Sequence, residues 1–170
     1  MVPERFPAQD VYDRAAREIG DHAAAGSDVA ILCQGDPFFY GSFIYLFARL
    51  AARLPVEIVP GVSSLTACAA AAQQPLAARD ETLTVVPATL GEAALERRLA
   101  GVEAAAIIKL GRHFAKVRDV LRRLGLAERA HYVERASLPS QRSLNLAEVD
   151  AAAVPYFAMI LLRGSGREGG

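Results

Sequence analysis

Gln34-Gly-Asp-Pro-Phe-Phe-Tyr-Gly41 is the stretch whose flanks decide the fold. Before it stand five apolar residues in a row, Val29-Ala-Ile-Leu-Cys33, the pattern of a strand buried on both faces of a parallel sheet. After it comes Ser42 as a candidate N-cap, and then Phe43, Leu46, Phe47, Leu50 and Leu54 recur at helical spacing. The loop is therefore expected at the carboxyl end of a strand, where open α/β sheets bind ligands. Gly35 permits close approach to the main chain, Pro37 stiffens the turn, and Asp36 offers an acceptor for hydroxyls or amines. A second strand-to-helix turn follows, from the apolar run 56–59 into Pro60-Gly-Val-Ser-Ser64. Two such loops on neighbouring strands are expected to build one pocket.

Working outward, the pattern alternates between helix and strand. Asp10 can cap a helix running to about residue 25, with Val11, Ala15, Ile19 and Ala23 inward and Gly26 as its stop. Strand 29–33, helix 43–53, strand 56–59 and helix 64–73 come next, the last rich in small side chains suited to close packing. Residues 75–81 resemble a connector, which divides the chain into a partial first domain, 1–78, and a second α/β domain, 79–170. Beyond it the spacing predicts strand 83–86, helix 92–100 closed by Gly101, strand 105–110 and helix 113–124 closed by Gly125. A strand at about 130–133, an irregular stretch 135–150 and a final strand 156–162 complete an α/β chain without internal repeats.

Composition narrows the function. Of 170 residues 52% are apolar and 22% charged, which suits a globular core and excludes a fibre or a disordered tail. Formal net charge is zero, and the arginine pairs at 97–98 and 122–123 lie on predicted helices beside acidic residues, so no nucleic acid partner is expected. Cys33 and Cys68 sit inside apolar segments and read as small buried hydrophobes rather than metal ligands or a disulfide. The first residues carry no apolar leader segment and no apolar run reaches bilayer length, so no membrane partner and a cytoplasmic location are expected. There is no glycine-rich dinucleotide fingerprint, phosphate-binding loop, nucleophile elbow or metal-ligand cluster. His22, His113 and His131 are scattered and read as surface or capping residues.

The motifs in order say more. Gln34-Gly-Asp-Pro-Phe-Phe-Tyr-Gly41 followed by Glu57-Ile-Val-Pro-Gly-Val-Ser-Ser64 resembles the paired signature of the tetrapyrrole methylases, S-adenosylmethionine-dependent enzymes of corrin and sirohaem synthesis. Pro75-Leu-Ala-Ala-Arg-Asp80, Leu83-Thr-Val-Val-Pro87, Lys109-Leu-Gly-Arg-His113, Tyr132-Val-Glu-Arg-Ala136 and Tyr156-Phe157 extend the likeness over residues 10–164, and point to the branch acting at C-20 of precorrin-2. The resemblance implies two α/β domains with the methyl donor in the cleft between them, and a homodimer. It also implies donor contacts at Gln34, Gly35, Asp36, Phe39, Ser63, Ser64, Leu110 and Ala136. The implied substrate is a tetrapyrrole with many carboxylates, metal-free or cobalt-bearing. Arg79, Lys109, Arg112, Arg135 and Arg142 are candidates to meet those carboxylates, with Arg112 and Arg135 preferred because they flank the implied donor loops.

Methyl transfer from a sulfonium to an electron-rich carbon asks mainly for alignment and exclusion of water, so no base is assigned. Tyr40, His113 and Glu134 are the candidates if a proton moves. The family's opening strand and its Gly-Pro-Gly-Asp-Pro loop have no counterpart here, since the one Gly-Asp-Pro is at 35–37. The chain is therefore expected to be a member with an incomplete first domain and a bare apolar edge at 29–33. Three readings follow: the C-20 methyltransferase, an inactive dimerising or binding module, and a superfamily member with another methyl acceptor.

Overall fold

Residues 104–108 read Ala-Ala-Ala-Ile-Ile, and every one of them is buried. Small and β-branched side chains in an unbroken run suit a central strand covered on both faces. In the computed structural model, which describes residues 9–164, this run is a strand with hydrogen-bonded neighbours on either side. The strands are β1 (Leu83–Pro87), β2 (Ala104–Ile108), β3 (Ala130–Glu134), β4 (Arg142–Asn145) and β5 (Ala158–Leu162), in the order β1-β2-β5-β3-β4. Only β1 and β2 pair in parallel, while β2 with β5, β5 with β3 and β3 with β4 pair antiparallel. Strands β1, β2 and β3 consequently run the same way, and their carboxyl ends share one end of the sheet.

The helices are α1 (Gln9–Ala24), α2 (Phe43–Leu50), α3 (Ser64–Ala72), α4 (Glu92–Leu99) and α5 (Phe114–Arg123). The chain divides into two compact units, one ending at Ser63 and one beginning at Ser64. The second holds the whole sheet. Leu95 and Leu99 of α4 and Phe114, Val117, Val120 and Leu121 of α5 pack on Val86, Ala105, Ile107, Tyr132 and Ile160 in one continuous core. Phe114 meets Tyr132 edge to face, with ring centroids 5.7 Å apart. Arg123 joins the two helices by pairing with Glu92 at 3.0 Å and Glu96 at 2.7 Å, and α3 packs on β3.

In the first unit, α1 and α2 form a small core of Ala16, Phe43, Leu46 and Leu50. Arg49 ties them together through Asp13 at 2.6 Å. Ile31 of 29–33 and Val56 and Ile58 of 56–59 pack against this core, but neither segment joins a sheet. The expected strands at 29–33 and 56–59 are thus corrected to extended chain with one covered side. Leu32 is 95% exposed, Val29 and Val59 are exposed too, and a segment without a ladder partner has nothing to cover its second face.

Other expectations are corrected by the same structure. Cys33 is exposed, while Cys68 is buried, its thiol pushed up to about 11 by burial. Val11 is exposed and Ala16 takes the inward place in α1. Ser42 precedes α2 without a side-chain capping bond. Residues 135–150, expected to be irregular, contain the edge strand β4.

Candidate functional site

The two loops of the first unit meet. Asp36 explains how: one carboxylate oxygen, Oδ1, accepts the Phe38 N–H at 2.9 Å, and the other, Oδ2, accepts the Gly61 N–H at 3.0 Å. The side chain read as a ligand acceptor is therefore a clamp that ties loop 34–41 to loop 60–63. The Gly61 N–H first, then that of Phe38, hold its carboxyl below the usual carboxylate range, because both bonds favour the ionised form.

Gly61 is packed so closely that a Cβ there would lie 2.4 Å from the Gly35 carbonyl oxygen and 2.9 Å from its carbon. Only a residue without a side chain lets the loops close to this distance. Gly35 itself sits at φ +84, and a Cβ on it would meet Val62 O at 3.5 Å and nothing nearer. One side of the Gly35 main chain is thus left open as a cradle. Gln34 is exposed and Ser63 half-buried beside this contact. Phe39 is half-buried, its ring edge-to-face with Tyr40 at 5.1 Å, and Tyr40 lies at φ 55.

The second unit gathers its candidates where β1, β2 and β3 end. Lys109 directly follows β2 at φ 58 and Arg135 directly follows β3 at φ 50. The left-handed conformation costs a side-chain-bearing residue roughly 1–2 kcal/mol, and such strain collects at functional sites. Leu110 is fully buried in the core, so any ligand contact from that position is through the main chain. Ala136 is half-buried in the turn after Arg135, and Ser64 is the exposed first residue of α3. Arg112 is exposed in the short turn Gly111–His113 that leads into α5.

Of the proton-transfer candidates, His113 is held below its ordinary value by burial first, then by the charges of Lys116 and Arg112. Glu134 is engaged on both oxygens: Oε2 accepts the Tyr132 hydroxyl at 2.5 Å, and Oε1 lies 3.5 Å from Nη1 of Arg135 and of Arg142. Burial, then the bond to Glu134, push the Tyr132 phenol well above its usual range. Sequence reasoning missed Gly61 and the Tyr132–Glu134 pair. The i, i+2 spacing of Tyr132 and Glu134, which puts both on one face of a strand, was the available signal.

A family model described as Tetrapyrrole (Corrin/Porphyrin) Methylases matches residues 1–150. The chain is 46% identical over 159 residues to the cobalamin biosynthesis protein CobIJ of Mycobacterium bovis, covering 94% of this chain and 31% of that protein. It is 43% identical over 155 residues to a precorrin-2 C(20)-methyltransferase of a Sinorhizobium species, covering 91% and 63% respectively. The chain therefore spans less than a third of the first relative and under two thirds of the second. Among solved structures, a uroporphyrin-III C-methyltransferase of Thermus thermophilus in complex with S-adenosylhomocysteine superposes with a TM-score of 0.65 at 30% identity, over 88% of this chain and 72% of that one.

Proposed function

The chain belongs to the tetrapyrrole (corrin/porphyrin) methylases, and from that membership we propose that it serves S-adenosylmethionine-dependent methyl transfer to C-20 of precorrin-2, or of its cobalt-bearing counterpart, in cobalamin biosynthesis. The observation that carries the reading is the Asp36 clamp, which brings the two signature loops together around an open glycine main chain. Gln34, Gly35, Asp36, Phe39 and Ser63 of the first unit, with Ser64, Leu110 and Ala136 of the second, are the assigned donor contacts. Asp36 also shapes the loops from within this set, by accepting the Phe38 and Gly61 N–H groups.

The donor supplies a methyl on a positively charged sulfur. The chain's part is to bind, align and keep out water, and no residue is assigned to move a proton. Arg112 and Arg135 are assigned to the substrate's carboxylates. A cytoplasmic homodimer is the accompanying expectation.

A second reading has one observation in its favour. Leu32, Val59 and Val62 stand exposed along the first unit, as a surface for another chain. On that reading the chain is an inactive family member that dimerises or binds. Titration calorimetry with S-adenosylhomocysteine separates the two. Micromolar binding supports the methyltransferase, and no heat at millimolar ligand leaves only the binding module. Gly35→Arg, which fills the cradle, is expected to abolish binding, and affinity surviving that change places the donor elsewhere.

A further inference from the structure

We propose that Glu134 is a positioning residue, which holds Arg135 and Arg142 as a two-pronged cationic fork for a carboxylate carried on a flat apolar ring. The inference deepens the reading above and rests on it for the class of ligand. Its geometry lies entirely in the unit beginning at Ser64.

Glu134 is 3% exposed, the one charged residue buried among the described residues. A lone carboxylate in such a place carries a heavy desolvation cost, which two cations and a hydroxyl offset. Tyr132 occupies Oε2, and the two guanidiniums share Oε1. Arg142 stands directly across the β3/β4 ladder from Glu134, and Arg135 follows it in the chain. Each guanidinium has five donors in a planar fork and meets Glu134 through one nitrogen. Both side chains remain open to solvent, at 41% and 56% exposed. Two positive charges around one buried negative charge leave a net positive mouth.

Other arginines of this unit are used differently. Arg123 braces α4 against α5, and Arg129 donates to the Arg163 and Glu103 carbonyls. The fork links only the edge strand β4 to β3 through Glu134 and leaves both arginine side chains exposed.

What lies beside it completes the case. The strained Arg135 donates its own N–H to the Phe157 carbonyl at 2.9 Å, which fixes the fork to the segment leading into β5. There Tyr156 and Phe157 are both exposed, their rings edge to face at 5.1 Å. An exposed aromatic pair next to an open cationic fork offers a ledge for a ring's face and donors for the acid at its rim.

Uroporphyrin III, a flat ring bearing carboxylates, is the probe, titrated into the full chain by fluorescence at low and at raised salt. Arg135→Gln and Arg142→Gln are each expected to weaken binding by about tenfold at low salt, the scale of one charge-assisted contact, and less at raised salt. Glu134→Gln decides the positioning role by its sign. Removing a negative charge near an anionic ligand tightens binding if charge alone matters, whereas loss of the anchor weakens it, here by about fivefold as part of that same contact is lost. Unchanged or tighter binding by Glu134→Gln overturns the proposal, and so does a wild-type chain that ignores uroporphyrin.

If Glu134→Gln fails to fold, Arg142→Lys replaces it. This change keeps the charge and loses the fork, so full affinity in it overturns the proposal and reduced affinity supports it. S-adenosylhomocysteine titrated into the same samples keeps the two readings apart. A chain that binds uroporphyrin through the fork but no donor analogue sinks the methyltransferase and leaves the fork standing. A chain that binds the analogue but has a fork indifferent to substitution does the reverse.

Discussion

Residues 29–33 and 104–108 are both five-residue apolar runs that lead into a turn and a helix, and they end in opposite states. Ala104–Ile108 has β1 on one side and β5 on the other, and all five residues are buried. Residues 29–33 have no ladder among the described residues, and only Ile31 packs on the α1/α2 core while Leu32 points outward. An apolar run therefore specifies burial only where another strand satisfies its main chain. The second unit is held by its core. The first leans on a bond from a main-chain N–H to a side-chain carboxylate between its loops, with Gly61 and Asp36 at their meeting point. Each unit should consequently fail at a different kind of residue.

The largest effect belongs to the core. Phe114→Ala is expected to destabilise the second unit by about 3–5 kcal/mol, since it empties a fully buried site against Tyr132. Urea unfolding measures it, and a loss below about 1 kcal/mol would dissolve the contrast, because fully buried Phe→Ala changes fall well above that. Next comes Gly61→Ala, where the new methyl meets the Gly35 carbonyl at 2.4 Å and forces the loops apart. Donor-analogue affinity should drop by at least about tenfold, the size of one good hydrogen bond lost, while urea unfolding of the second unit stays put. An intact affinity shows that the loops need not touch.

A smaller effect is set by pH. The folded Asp36 carboxyl titrates below its ordinary 3.8, so the clamp is fully present above that value and is released as pH falls through the lowered one. The amide protons of Phe38 and Gly61 should shift together in that acid window in nuclear magnetic resonance spectra, and Asp36→Asn should erase the shared titration. Independent titrations, or none, mean that Asp36 does not bridge the loops. The smallest effect sharpens the opening comparison. Leu32→Ser should change stability by less than about 0.5 kcal/mol, as expected for a surface position. A cost of several times that amount reveals a partner covering residues 29–33.

Much of the second unit was legible in sequence. The alternation of apolar runs with helical spacing placed β1, α4, β2, α5 and β3 to within a residue or two, and α1, α4 and α5 stop at Gly26, Gly101 and Gly125 as expected. β4 was not legible. Arg142–Asn145 is a short, largely exposed edge strand with polar residues at three of four places, and it exists because β3 offers it a register. The first unit misled for the opposite reason, since composition announces an apolar strand but says nothing of its neighbours. Asp36 was legible as an important acceptor. Its role as a clamp was not, because its partner lies 25 residues further along the chain. Tyr132 was visible only as a member of a motif and Glu134 as a candidate to move a proton, while their bond to each other, with Arg142 directly across from Glu134, emerges only from the β3 geometry and the β3/β4 register.

The positive φ angles at Lys109 and Arg135 put sturdiness and purpose at odds. Glycine at Lys109 would relieve torsional strain and give a more heat-tolerant protein that has lost a cation at the mouth of the sheet, whereas at Arg135 the same relief is set against a cation taken from the buried Glu134. A screen for thermal resistance alone would drift toward such variants, whereas selection for binding would hold the costlier side chains in place.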